Sequence, residues 1–525
     1  ETSEVPKHRN KISENFGIPA CVARPGGKRE LESSPEALKA QKSEWNRLWK
    51  RGVWDNSVVR KWSDVAAQAR AEKREIHLGR LFGICVEKGS ELPRSDPRRK
   101  YKYRVVFQGN RVVNQSWEAA IFQDLGSSPA SMEAGKCVDF YGCFPGHSVE
   151  QADAEQAYVQ AKLEGNETWV ALPPEAWPAD WAKRFSAEDR PVVRLVRALY
   201  GHPDAGTFWE KHCNEQLKSI GFEPIENWPS CFFHRRLKLF LTVYVDDFKM
   251  SGPTTSLPTG WKLIKSRLTL EEPAPANLYL GCNHELKTIT TKAGTATTMV
   301  YNMESYLAST VEKYIKVASK ATGKQVQLKK ANTPFLAEDR RSTPAGAPCS
   351  KGKGIMCPWC HHSFPIDQAK AIHGPSRKAT KQKELPSSTD ENVDNATTGL
   401  LQPHAASILM KILYAARMAR FDLLRATCRL ACFITKWTEE CDRRLYKLVC
   451  YINSSLHLRM AGWVGDEPRR VLPVLYADAD YAGCDRTERS IDQNPTALLD
   501  GPAPSEPTCR YGHTLAVFLA TIKSG

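Results

Sequence analysis

Residues Leu239–Ser251 read Leu-Phe-Leu-Thr-Val-Tyr-Val-Asp-Asp-Phe-Lys-Met-Ser, and the rest of the chain is read outward from this stretch. An apolar, β-branched and aromatic run climbs to Tyr244 and Val245, meets the adjacent acids Asp246 and Asp247, and resumes at Phe248 and Met250. Arg235 and Arg236 bound it on one side, Gly252 and Pro253 on the other, so the pattern predicts a strand, a tight turn and a second strand. Carboxylates on a rigid tip make a hard-oxygen site for Mg²⁺, and two such ions clamp the attacking and leaving oxygens of a phosphoryl transfer. Aspartate is also an ordinary turn residue, so the pair alone leaves both readings open. Neighbouring strand residues face opposite ways. Both acids therefore reach metal only if the turn bends the backbone; otherwise one is peripheral.

The chain has 525 residues, room for two to four folding units at ~100–200 residues each. Hydrophobic residues make up 41%, enough for real cores. A formal charge of +15 points to an anionic partner, nucleic acid first, although a merely soluble basic protein has the same balance. No run of ~18 apolar residues occurs, so no membrane span is expected. The chain opens on Glu1 with no apolar leader, so it reads as a fragment of an intracellular protein and secretion is not expected. Sixteen scattered cysteines suit buried thiols in a reducing compartment, with any cluster a metal candidate.

Residues 1–34, with Pro6, Pro19, Pro25 and Gly26-Gly27 among charges, read as a disordered lead-in. Pro35 to Lys50 carries Ala37, Leu38, Trp45, Leu48 and Trp49 in a helical pattern. Pro93 to Arg111 is strongly basic around Val105-Val106-Phe107, and in a strand Lys102, Arg104 and Val106 share one face. Such a stripe meets phosphates, or guards an edge strand with positive charge. His147–Leu163 passes from an extended segment through Asp153 into a helix-forming series, so Asp153 is either an N-cap or a third carboxylate converging on the hairpin acids. Trp169–Leu172 predicts a short strand. A helix is expected from Phe208 to about Ile220, ended by Gly221.

These pieces, in this order, resemble the copia-type retrotransposon polyprotein in its reverse transcriptase and early ribonuclease H regions. The resemblance rests on Lys102–Val106, on Gln151-Ala152-Asp153 with Ala157-Tyr158, and on Leu199-Tyr200-Gly201 with Phe208-Trp209. It continues through Tyr244–Asp247, Tyr279-Leu280-Gly281, and Thr333-Pro334 after an amphipathic helix of Met303, Leu307, Val311, Tyr314 and Ala318. Leu413-Tyr414 to Asp422, Cys450-Tyr451-Ile452 and Tyr476–Gly483 complete it, over roughly residues 35–490. One such motif is weak; this many in order is specific.

The resemblance implies an α+β right-hand polymerase of fingers, palm and thumb, followed by a helical connection and a truncated ribonuclease H-like α/β piece. On this sequence that gives a lead-in at 1–34, fingers and palm at 35–253, and palm end with thumb at 254–319. A basic insertion with a candidate zinc knuckle and linker follows at 320–400, then the connection at 401–470 and the ribonuclease H-like fragment at 471–525. It implies an RNA-directed DNA polymerase, a nucleotidyltransferase taking an RNA template, a DNA primer and dNTPs. Asp153, Asp246 and Asp247 would hold two Mg²⁺ ions, Lys102 and Arg104 the triphosphate. Tyr158 would close against the sugar 2′ position, or serve as a core aromatic. Asp478, less readily Asp480, would be the first ribonuclease H ligand, with the later acids beyond this chain and that activity absent. Protease, integrase and complete ribonuclease H parts are expected partners missing here. Asp204 stands where the family has glutamine and His202-Pro203 replace Leu-Lys, so Asp204 is not expected to contact nucleotide. A decayed nucleic-acid-binding remnant is the rival reading.

The 320–400 stretch holds Cys349, Cys357 and Cys360 with His361, His362 and His373. Three cysteines with one of these histidines, His373 for instance, would complete a tetrahedral Zn²⁺ site and make a zinc-dependent interaction module; the alternative is unligated thiols. A thioredoxin-like pair would need a preceding buried strand, which the Gly/Lys run does not offer.

Overall fold

In the computed structural model the described residues are 23–55, 57–88, 99–120, 122, 127–186, 188–291, 294–336 and 397–465, with short strands at 354–356, 363–365, 471–479 and 513–521. They fall into two compact units, one reaching to Tyr306 and taking in Arg459–Ala477, the other built on Leu307–Leu458. Among them, no helix is long and apolar enough to cross a membrane.

The first unit begins with the helix expected at Pro35–Lys50, capped by the Ser34 hydroxyl, which accepts from Ala37 N–H. It buries Ala37, Trp45 and Leu48. Strand Ile76–Lys88 is the spine of a mixed sheet. Its first half runs parallel to Glu167–Ala171, and its second half pairs antiparallel with Lys100–Phe107. Lys100–Phe107 alternates as its sequence requires: Tyr103, Val105 and Phe107 are buried, while Lys102, Arg104 and Val106 share the opposite face. The expected lead-in needs correcting at its end. Ala23–Pro25 pairs with Val86–Lys88 and Lys28–Ser33 is helical, held by Arg24 bridging Glu30 and Glu87.

A six-stranded sheet carries the opening stretch, with His147–Asp153, Asp247–Pro253, Leu239–Tyr244 and Cys231–His234 side by side. Leu239, Leu241 and Val243 share one face with Phe248 and Met250. There they pack against Trp209, Cys213 and Leu217 of helix Ala205–Ser219 and Leu257, Trp261 and Ile264 of helix Leu257–Lys265. The other face carries Thr242, Asp247, Lys249 and Ser251, and helix Met132–Gly142 packs on it. Both faces are covered, so Thr242, Lys249 and Ser251 are buried as fully as the apolar side chains opposite them.

The helix expected after Asp153 is a single turn, Ala157–Gln160. Gln156 sits at φ +50, and Ala154 pairs with Leu270 instead of entering a helix, so tertiary pairing overrides helix propensity. Helix Ala205–Ser219 ends at Gly221, φ +91, in the manner expected of a glycine stop.

A third, four-stranded sheet holds Leu278–Tyr279, the long hairpin Cys282–Thr291 with Gly294–Asn302, and Met460–Val464. That last strand pairs with Thr297–Tyr301, although about 160 residues separate them in sequence.

In the second unit, helix Glu304–Thr322 buries Leu307, Val311, Tyr314 and Ala318, the expected stripe. Helices Gln402–Met418, Leu424–Ala431 and Glu439–Ser454 follow. Buried Arg420 pairs with Asp422 and donates to Ser455, while the Tyr451 hydroxyl donates to Asp422 at 2.9 Å.

Candidate nucleotidyl-transfer site

The acids of the hairpin meet the third one directly. Asp247 opens its strand opposite Asp153, the last residue of the neighbouring strand, so the two are cross-strand partners on one face. Asp153 is therefore a strand-end residue and not a helix N-cap. Asp246 lies in the two-residue turn between Tyr244 and Asp247. That turn is sharply bent: Val245 adopts φ +59, a left-handed conformation that costs a β-branched residue about 1–3 kcal/mol.

Neighbours hold the strained turn in place. The buried Trp209 indole donates to Val245 O at 2.6 Å, and Ala154 N–H donates to Asp246 O at 2.7 Å. Val243 receives a hydrogen bond from Ala130 N–H and gives one to Ser230 O. A small, open cleft lies beside the turn, lined by Tyr158, Trp209, Val243, Val245, Gly206 and Ser127.

Burial, then the charges of Asp246 and Asp153, push the Asp247 carboxyl up to about 7. Three carboxylates are crowded at one sheet end. As the side chains stand, no three His, Cys, Asp or Glu among the described residues are gathered as a metal shell. The donor set still fits a divalent cation, because hard oxygens on two strands and a turn repel one another until a positive charge comes between them.

The proposed nucleotide side chains approach from the first sheet. Arg104 is exposed and its guanidinium carbon stands 5.4 Å from the centre of the Tyr200 ring. Tyr200 meets Tyr158 edge-on at 4.5 Å. Burial, and then the charge of Asp246, raises both tyrosine hydroxyls, while the charge of Arg104 opposes the shift. Tyr158 is half-buried against two core clusters and also lines the cleft. Lys102 is half-buried, and burial together with Arg104 lowers its ammonium. Phe107 N–H donates to Tyr200 O at 2.7 Å, and a side chain at Gly201, φ +88, would strike Phe107 O at 2.2 Å. Glycine there lets Tyr200 dock on the basic strand.

Residues 93–321 match the family described as reverse transcriptase (RNA-dependent DNA polymerase). The chain carries a reverse transcriptase region. No curated protein matches the chain. The matched span contains Asp153, Asp246, Asp247, Lys102, Arg104 and Tyr158.

Asp204 begins its helix without capping it, is half-buried, and has its carboxyl raised by burial. Cys349, Cys357, Cys360 and His373 lie outside the described residues, as does Asp480. Gly354–Met356 and Ser363–Pro365 pair antiparallel on either side of Cys357–His362 in sequence. Asp478 falls on strand Val471–Ala479, which pairs with His513–Thr521. Roles for Trp209 as anchor of the turn and for Tyr200 as its bridge to Arg104 were not read from the sequence. The Leu-Tyr-Gly and Phe-Trp pairs that carry them were its only signal.

Proposed function

We propose that the reverse transcriptase region is the polymerase of a copia-type element, adding dNTPs to a primer 3′ end on an RNA template. The observation that carries this reading is the cross-strand pair Asp153–Asp247 with Asp246 in the adjoining turn. These three residues would hold two Mg²⁺ ions, which when bound supply Lewis acidity to the 3′-hydroxyl and neutralise the departing pyrophosphate. Trp209 and Ala154 hold the backbone of the turn, so only the carboxylate side chains would have to turn inward as metal enters. Arg104, over Tyr200, offers a cation to the triphosphate, with Lys102 on the same strand face. Tyr158 presents its ring beside the turn, where it would obstruct a 2′-hydroxyl.

Primer extension on an RNA template with Mg²⁺, comparing the protein with Asp246→Asn, tests this. Loss of one ligand lowers extension by orders of magnitude while template binding persists. A variant as active as the parent would show that Asp246 is only a turn residue. Template retention by both without extension would leave a binding remnant. We further infer a zinc knuckle at Cys349, Cys357 and Cys360 with one of His361, His362 and His373, which elemental analysis lacking zinc would exclude.

A further inference from the structure

Beneath the acids lies a buried ionic cluster that phosphoryl transfer does not require. Lys249 sits two residues beyond Asp247 on the same face, and its side chain is wholly buried. Its ammonium pairs at 2.5 Å with Asp139 Oδ1, from helix Met132–Gly142, which is equally buried. The other Asp139 oxygen accepts from the Tyr301 hydroxyl at 3.0 Å and lies 3.4 Å from His284 Nε2, both on the long hairpin. The Lys249 ammonium also lies 4.5 Å from the centre of the Tyr279 ring, and 3.5 Å from Gly135 O. Three chain segments therefore meet at one pair of charges.

The tip of the short hairpin that joins Leu278–Tyr279 to Cys282–Thr291 is clasped a second time by the residue opposite Lys249. Gln151 is its cross-strand partner, donating to Leu278 O at 2.9 Å and accepting from Asn277 N–H at 3.4 Å. The tip is itself stiff, since Leu280 and Gly281 both have positive φ between the paired Tyr279 and Cys282.

Taking two charges out of water is costly, and an apolar pair would hold helix to sheet as firmly. What charges add is direction. We propose that Lys249, held by Asp139, is a positioning residue that docks the Leu278–Gly281 tip over the face bearing Asp153 and Asp247. On the polymerase reading above, on which this rests, the docked tip then fixes the edge of the site beside the acids.

The test is Asp139→Leu/Lys249→Leu, which removes both charges and leaves neither alone. Amide exchange across 277–285 accelerates about tenfold as the tip loosens. The maximal rate of nucleotide addition falls about tenfold or more, with KM for dNTP nearly unchanged, since misplacement by an ångström is costly to rate. Parent-like exchange and rate in the folded double variant would overturn the proposal. Tyr301→Phe strands no charge, so it decides the matter should the double variant not fold. Faster exchange in the same segment supports docking, and no change refutes it. If the parent itself fails to extend, the polymerase reading falls, and exchange alone still judges the docking.

Discussion

Replacing Asp247 by asparagine should stabilise the metal-free protein at alkaline pH, in spite of abolishing the activity proposed for it. In the unfolded chain this carboxyl titrates near ~4. In the fold, burial and the two neighbouring carboxylates bring it to about 7. Below the lower value both states hold the proton and stability is unaffected. Between the two values only the folded state holds it, so stability falls as pH rises, and the full cost is present above the upper one. Each pH decade is worth about 1.4 kcal/mol, giving about 4 kcal/mol for a carboxyl sealed from water. Asp247 is only half-buried, which screens this to about 2 kcal/mol. Asparagine removes the titration. Chemical unfolding of parent and variant in chelator, from pH 5 to pH 8, should show the variant gaining on the parent by about two-thirds of that amount, the rest of the loss falling below pH 5. Mg²⁺ at pH 8 should narrow the gap. A difference that stays flat with pH would refute the crowding of carboxylates inferred here.

Trp209→Phe leaves Val245 O without its donor, costing about 1–3 kcal/mol. Because it also releases a left-handed valine, kcat for extension should fall more than thermal stability; an unchanged kcat would separate the turn from the chemistry. Arg104→Ala, at an exposed site, should leave the melting temperature in place and raise KM for dNTP about tenfold, read by steady-state extension. Tyr158→Ala should increase ribonucleotide incorporation at least about tenfold relative to deoxynucleotide, and equal discrimination would return Tyr158 to the core alone.

The hairpin, its acids and the basic strand were legible because their signals are local: alternation, a two-residue turn, punctuation by glycine and proline. The face shared by Lys102 and Arg104 follows from a period of two, which any strand obeys. The contacts that organise the site are not local. Lys249 occupies what reads as one more position of an apolar strand, and nothing near it in sequence announces Asp139, 110 residues earlier. Val245 looks like an ordinary β-branched strand residue, and only closure of the turn with Tyr244 paired to Asp247 forces its φ positive. The series after Asp153 has helical propensity yet forms one turn, because Ala154 is taken up by Leu270 and Asp246. Met460–Val464 is too short to be recognised as a strand without its distant partner.

That distant strand also imposes an order of events at the ribosome. The long hairpin is made early, but the edge at Thr297–Tyr301 stays open until residues 460–464 have emerged, after the described helices of the second unit. At ~5–20 residues per second the nascent chain carries this bare β-edge for several seconds or more. An unpaired edge is an invitation to another chain, and chains synthesised side by side on one transcript are the nearest candidates. Ending the protein just before Arg459 would make that interval permanent. A shortened version should therefore be judged by whether it stays dispersed as much as by whether it works.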